Sequence, residues 1–219
     1  MPGVLGILLS DPVGNFLPFI VIVLGLIASL TIHEFAHAWV ADKLGDPTPR
    51  YKNRVTLNPL AHLDPIGSLA ILLVGFGWGK PVPFDPYNLK NPVADTAKIA
   101  VAGPLSNILF AILLAVFASI NASVGFAPIG FVFAVTQLLI GLNVALAIFN
   151  LIPIHPLDGG KILVAFLPKV TALEYDQFMH RYGMFVLLML VLPLAGGTSP
   201  VSQLLGPVVA FVSTLIISL

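Results

Sequence analysis

The chain has 219 residues, of which 58% are hydrophobic and 9% are charged. An ordinary soluble domain has about 45–50% apolar and about 25% charged residues, so the composition excludes an ordinary soluble globule. Ten basic side chains balance ten acidic ones without forming a basic block, which argues against nucleic acid as a partner. Because the sequence has no cysteine, any bound metal must be held by His, Asp or Glu side chains.

Six apolar stretches follow one another along the chain. Four of them have the roughly 20 residues that a membrane-crossing helix requires. These four are residues 16–41, 97–120, 129–152 and 201–219. The stretches 66–78 and 182–195 are shorter, and we predict that the first is re-entrant and the second crosses. The expected fold class is therefore all-α, a polytopic membrane helix bundle with five spanning helices and one re-entrant segment.

The positions of the basic residues predict the orientation of these spans. All ten Lys and Arg residues fall in the connections 42–65, 79–98 and 153–181. Short cytoplasmic loops collect positive charge, which places these connections in the cytosol, the N-terminus outside and the C-terminus inside. A complete crossing by residues 66–78 would put the lysines of the second connection on the wrong side, so that stretch is predicted to dip in and return.

Two short extended segments are predicted on the cytosolic side. Residues 50–57 contain β-branched and aromatic side chains between Pro49 and the turn signal at Asn58, a pattern that favours a strand. Residues 80–84 are rich in proline, which confines an extended segment to an edge.

The first span ends in the motif His33-Glu34-Phe35-Ala36-His37. Two histidines four positions apart lie on one face of a helix and can bind the same ion. Glu34 lies about 100° round the helix, where it can take a proton from water without being a ligand. The alternative is that these are interfacial polar residues beyond the helix end, but the apolar residues 38–41 follow them.

A catalytic zinc site usually has three protein ligands, so a third is needed. Asp158 follows the stretch 129–152, and the charge distribution places it on the same side as His33 and His37. Two alternatives remain open. Asp158 is also a suitable N-cap for the next helix, and His155 in the same connection is a rival ligand.

These motifs resemble the site-2 protease family of intramembrane zinc metalloproteases. The resemblance rests on HEFAH at residues 33–37 and NLIPIHPLDGG at 150–160, and NPLAHLDPIG, GWGKPVP and AGPLSN are similar to the compact, single-domain prokaryotic branch. It implies one zinc ion per chain with His33, His37 and Asp158 as ligands and Glu34 as general base. It further implies cleavage of a transmembrane helix of another protein near the cytosolic side of a prokaryotic cell membrane.

Residues 1–219 are accordingly expected to form a single transmembrane protease domain without a PDZ or CBS module. Asn150 is predicted either to contact the developing oxyanion or to hydrogen-bond between helices, as are Asn107 and Asn143 in the second role. The extended segments 50–57 and 80–84 are expected to receive the substrate by strand addition. His155 stands where the family usually has an apolar residue or proline.

Two other classes of protein fit parts of the pattern. A divalent-metal transporter also places histidines and a carboxylate within the membrane, but it needs a continuous path, and residues 21–30 offer only Ser29. A catalytically inactive homologue that binds helices without cutting them is the other alternative. The oligomeric state is not predicted.

Overall fold

The computed structural model describes residues 4–74, 77–125, 128–193 and 198–218. Within these ranges there are nine α-helices, two short 3₁₀ turns at Pro59–Ala61 and Pro86–Asn88, and no strand. The helices are α1 Val4–Ser10, α2 Phe16–Lys43, α3 Thr48–Tyr51, α4 Pro65–Val74, α5 Pro92–Val124, α6 Ile129–Asn150, α7 Asp158–Val164, α8 Lys169–Val191 and α9 Pro200–Ile217. The expected all-α class is confirmed for the described residues.

Four of these helices, α2, α5, α6 and α9, are long and apolar enough to cross a membrane, and they coincide with the four long predicted spans. The ends of α5 show how local sequence sets the bounds. Proline lies in the first turn, where its missing N–H costs nothing. Gly125 closes the helix at φ 70°, a left-handed conformation that glycine adopts readily.

Helices α2, α5 and α6 pack together, and α9 packs against α5 and α6. Small residues allow the close approach that holds helices together in lipid. A Cβ on Gly25 of α2 would lie 2.2 Å from Cδ2 of Leu139 on α6. The apolar core between α5, α6 and α9 consists of Ala111, Ala115, Ile140, Val144 and Ile216.

The predicted re-entrant stretch forms α4 and then returns toward its own beginning. A Cβ on Gly67 would lie 2.1 Å from the carbonyl oxygen of Trp78. Leu63 and Gly79, just outside the stretch, form an antiparallel bridge. The two ends of the stretch therefore lie side by side. Its residues 75 and 76 are outside the described residues.

The prediction of a strand over residues 50–57 is wrong. The chain instead forms the helical turn α3, with Pro49 near its start, where the fixed φ of proline suits a helix. Asn53 then adopts φ 53°, in the left-handed region, which interrupts any extended run, so residues 50–57 provide no strand on which a substrate could dock. Residues 80–84 are in neither a helix nor a strand, so their use as an edge for strand addition stays a prediction.

The short apolar stretch 182–195 begins inside a longer helix, α8, which starts at Lys169. The first half of α8 is polar, and α8 is not among the four helices long and apolar enough to cross. Residues 194 and 195 are outside the described residues. A fifth crossing therefore stays a prediction.

A buried carboxylate ties together two of the predicted cytosolic connections. Asp46 accepts hydrogen bonds from the Thr48 N–H and hydroxyl at 3.0 and 2.6 Å, from the Asp85 N–H at 2.7 Å and from the Asn88 amide at 2.8 Å. Burial by itself would raise the pKa of Asp46. The hydrogen bonds, with the Thr48 hydroxyl first, outweigh burial and lower that pKa below its ordinary value of 3.8.

Replacing Asp46 with asparagine is expected to destabilise the protein by about 1–3 kcal/mol, because an amide N–H₂ would face buried donors. Since its pKa is lower in the folded state, the carboxylate stabilises fully above about pH 4, and that contribution is lost as pH falls through the folded pKa. Thermal unfolding in detergent from about pH 3 to pH 7 should show that the difference in unfolding temperature between wild type and Asp46→Asn shrinks at the acidic end. The exposed control Asp176→Asn should unfold at the same temperature as wild type. Equal unfolding temperatures for wild type and Asp46→Asn would contradict the prediction.

Candidate metal centre

Helix α2 presents its two histidines to the interior of the bundle. His33 and His37 are both buried. Their ring centroids are 4.6 Å apart with the planes at 85°, so the rings converge edge to face from successive turns. The structure therefore places both on one face of the helix, as their spacing predicts.

Asp158 meets both histidines at a single oxygen. Its Oδ2 lies 3.1 Å from Nε2 of His33 and 3.2 Å from Nε2 of His37. Asp158 is the first residue of α7, and the N-cap position is taken by Leu157. The alternative role of Asp158 as N-cap is therefore wrong, and its carboxylate is free to face α2.

The rival ligand His155 lies away from this cluster. Its ring stacks on that of His180 in α8, with centroids 4.4 Å apart. Among the described residues, the group able to hold a metal contains His33, His37 and Asp158, and His155 is not part of it. Burial lowers the pKa of His155, and the neighbouring His180 and Lys161 lower it further.

Helix α8 holds the turn that directs Asp158 inward. The Tyr175 hydroxyl donates to the Pro153 carbonyl at 2.8 Å. A Cβ on Gly183 would lie 2.5 Å from the His155 carbonyl oxygen, so glycine allows α8 to touch this backbone. Buried apolar residues pack together at this contact, Ile154 and Leu157 from the turn and Leu187 from α8.

The other ring nitrogen of each histidine is bound by an oxygen. Nδ1 of His33 lies 2.6 Å from Oδ1 of Asn107, and Nδ1 of His37 lies 2.7 Å from the Ile99 carbonyl oxygen, both on α5. Each Nδ1 therefore donates a proton, which leaves a lone pair on Nε2 in the neutral ring. This tautomer is the one required of a metal ligand.

Asn107 is itself oriented by two acceptors. Its Nδ2 donates to the Ser29 carbonyl at 3.1 Å and to Oδ1 of Asn143 on α6 at 3.0 Å. Because the amide nitrogen is engaged in this way, the amide oxygen faces His33. The predicted interhelical role of Asn107 and Asn143 is confirmed, and the hydrogen bond between them also helps to orient the Asn107 amide toward His33.

The donor set fits a cation such as zinc. Two imidazole lone pairs and a carboxylate oxygen face each other, and they repel unless a positive charge lies between them. Tetrahedral zinc with bonds of about 2.0–2.2 Å separates its ligand atoms by roughly 3.3 Å. The observed 3.1 and 3.2 Å separations from Oδ2 of Asp158 are close to that value.

Gly103 of α5 lies against the ligand nitrogens. A Cβ there would be 2.4 Å from Nε2 of His37 and 2.5 Å from Nε2 of His33. Only a residue without a side chain leaves this space open, so Gly103 forms one wall of the space beside the two Nε2 atoms. Gly103 lies in the AGPLSN motif, but no role for it was predicted from the sequence. A glycine followed by proline inside an apolar helix was the available signal.

Replacing Gly103 with alanine is expected to weaken zinc binding by at least about 10–100-fold, the loss seen when groups around metal ligands are disturbed. The matched control is Gly141→Ala in α6, where a Cβ would meet nothing within 4 Å. Alanine favours a helix over glycine, so the control should be as stable as wild type or more so. Competition for zinc with a chelator measures the effect. Equal zinc affinity in both variants would contradict a role for Gly103.

Glu34 lies beside the ligand cluster on the same helix turn as His33. Its side chain is 12% exposed, and Oε2 lies 3.9 Å from Nη2 of Arg54. It is not among the metal-binding group of the described residues. Its position fits a base that acts next to the metal without binding it.

Asn150 lies at the end of α6, outside the ligand cluster. Its Nδ2 donates to the Leu146 carbonyl of its own helix at 2.9 Å. A contact with a developing oxyanion would require this amide to rotate. The oxyanion role of Asn150 stays a prediction.

Comparison with known proteins places the chain among metalloproteases. The family model described as Peptidase family M50 matches residues 120–194. "Putative zinc metalloprotease YwhC" of Bacillus subtilis (strain 168) is 38% identical over 80% of this chain and 81% of that protein. "Putative zinc metalloprotease Rip2" of Mycolicibacterium smegmatis is 29% identical over 80% and 68%, respectively. "Zinc metalloprotease MJ0392" of Methanocaldococcus jannaschii is 32% identical over 66% of this chain and 33% of that protein. No solved structure matches the chain significantly.

Apolar spanning helices with a two-histidine, one-carboxylate cluster beside a glutamate define an intramembrane zinc metalloprotease. The chain belongs to peptidase family M50, in agreement with its resemblance to site-2 proteases. It is an integral membrane hydrolase that uses zinc. This assignment decides against the divalent-metal transporter.

Proposed function

We propose that this protein hydrolyses a peptide bond in or near the transmembrane helix of another membrane-anchored protein, close to the cytosolic surface. The observation that carries the proposal is the convergence of His33, His37 and Asp158 next to Glu34 on an apolar helix. Placing such polar groups within a membrane costs roughly 2.5–3.5 kcal/mol for each charged group, a cost usually associated with function.

In the proposed mechanism His33, His37 and Asp158 are the zinc ligands and Glu34 is the general base. When bound by these residues, zinc would supply Lewis-acid chemistry that favours attack of water on the scissile carbonyl. Glu34 accepts a proton from the attacking water and delivers it to the leaving nitrogen. Asn107 holds His33 in the tautomer that leaves Nε2 unprotonated. Asn150, after rotation of its amide, stabilises the developing oxyanion.

The proposed orientation places the N-terminus outside and the C-terminus in the cytosol. Contacts among His37, Ile99 and Asp158 bring the end of α2, the start of α5 and α7 to one end of the bundle. All ten basic residues lie in the connections at that end, which supports its assignment to the cytosol. We propose that α8 provides the fifth crossing and that residues 1–219 act as one protease domain.

The side-by-side ends of the stretch around α4 support a re-entrant segment. Because Leu63 pairs with Gly79, the chain leaves this stretch where it entered. A full crossing would separate these residues by about 30 Å of hydrocarbon. Residues 80–84 therefore stay on the side of the metal centre, where they are proposed to receive the unwound substrate by strand addition.

The test is reconstitution of the purified, zinc-loaded chain in lipid vesicles with a tagged single-span protein whose helix is interrupted by glycine and proline. Cleavage within the span at its cytosolic end is expected, and mass spectrometry identifies the bond. Zinc removal and Glu34→Gln are the inactive controls. Cleavage of soluble peptides alone would contradict the intramembrane substrate. A zinc-loaded chain that binds the span but never cuts it would show an inactive homologue.

A further inference from the structure

Arg54 is a buried cation that contacts the proposed base. The residue is 4% exposed, and its Nη2 lies 3.9 Å from Oε2 of Glu34. A charge removed from water is costly unless other groups compensate it. Glu34 is the carboxylate that faces this guanidinium.

The same guanidinium also binds residues 80–84, the segment that is proposed to receive the substrate. Nη1 of Arg54 donates to the Pro81 carbonyl at 2.9 Å, and Nη2 donates to the Lys80 carbonyl. These are the first two residues of the segment 80–84. Because the guanidinium is planar and rigid, contacts to the base and to the segment fix their relative positions.

The first residue of the segment, Lys80, is hydrogen-bonded through both its N–H and its carbonyl. The Lys80 N–H donates to the His62 carbonyl at 2.7 Å, while the Lys80 carbonyl accepts from Arg54. The His62 ring in turn donates from Nε2 to the Thr56 carbonyl at 2.8 Å. The loop that carries Arg54 and the loop that carries His62 thus close around the first residue of the segment.

The far end of the segment is connected to the proposed ligand Asp158 through Lys161. Phe84 lies under the ammonium of Lys161, 5.7 Å from Nζ to the ring centroid. That Nζ lies 3.8 Å from Oδ1 of Asp158. Each end of the segment is therefore linked through one cation to a residue of the proposed active site.

We propose that Arg54 is a positioning residue that holds the carboxylate of Glu34 and the start of the segment 80–84 in fixed register. A substrate strand docked on the segment then presents its scissile bond to the base. This inference rests on the proposed function. Arg54 itself neither binds the metal nor transfers a proton.

The experiment compares Arg54→Met, Arg54→Lys and Arg50→Met in the vesicle assay with the same tagged single-span protein. Arg50 is a matched control, since it also pairs with a carboxylate, Asp42, at 2.6 Å, but its side chain is 69% exposed. Arg54→Met is expected to keep its zinc and to lose about 10²-fold in kcat, the effect of a misplaced catalytic group. Arg54→Lys keeps the charge without the planar guanidinium, so its kcat should be roughly tenfold higher than that of Arg54→Met.

Zinc content, measured together with kcat, separates a positioning role of Arg54 from a general loss of structure. The proposal requires a fall in kcat with zinc unchanged in Arg54→Met, and wild-type kcat in Arg50→Met. Equal kcat in Arg54→Met and Arg50→Met would overturn it, as would zinc loss in parallel with activity in both Arg54 variants. Should Arg54→Met not fold, Arg54→Lys decides: a folded, zinc-loaded variant with reduced kcat supports the proposal, and wild-type kcat overturns it. Failure of wild type and Arg50→Met to cut would instead refute the proposed function.

Discussion

Exchanging Glu34 for glutamine is expected to lower kcat by about 10²- to 10⁴-fold, the contribution of a general base, while zinc remains bound. Glutamine has nearly the same shape but does not accept a proton. The atoms that face the metal position come from His33, His37 and Asp158, which this exchange leaves intact. This variant should therefore lose activity and keep its zinc.

The chain supplies its own control for this exchange. Its only other glutamate, Glu174, is exposed on α8, so Glu174→Gln should cut like wild type. Cleavage rate and zinc stoichiometry, measured on the same preparation, check the prediction. Loss of zinc in Glu34→Gln would make Glu34 a ligand, and an unchanged rate would remove it as the base.

Replacing Asp158 with alanine is expected to remove both zinc and activity. Asp158 is the only one of the three proposed ligands that carries a negative charge, and its Oδ2 contacts both imidazoles. Loss of a group that only supports a ligand costs about 10–100-fold in metal affinity, so loss of a ligand should exceed about 100-fold. Two neutral histidines one turn apart remain.

Zinc affinity measured by chelator competition in detergent checks the Asp158 prediction. Asp176→Ala is the control, because that carboxylate is exposed on α8 and pairs with His180 at 3.4 Å. It should bind zinc like wild type. Stoichiometric zinc in Asp158→Ala would show that another residue is the third ligand, with His155 the first to examine.

Local sequence predicts those features that are set within one helix. The spacing of His33 and His37 fixes both rings on one face, because the helical repeat places residues four apart above each other. Hydropathy likewise predicts the four long spans, because each of these helices satisfies its backbone hydrogen bonds within a single segment.

Segments governed by contacts with distant residues were less predictable. β-branched composition favoured a strand at residues 50–57, but Pro49 starts a helical turn there and Arg54 reaches inward to the Lys80 carbonyl. Likewise, residues 169–181 belong to a predicted connection, yet they form the first half of α8, from which the Tyr175 hydroxyl donates to the Pro153 carbonyl.

The sequence by itself determined the membrane helices, the paired histidines with their glutamate, and a short set of candidates for the third ligand. Only the tertiary structure placed Asp158, and not His155, against the two histidines, and only it revealed Gly103 and Arg54 beside them. The physical reason is distance along the chain. A helix fixes neighbours by its own geometry, whereas the packing of α5 against α2, of α7 against α5 and of α8 against α7 determines which remote side chains meet.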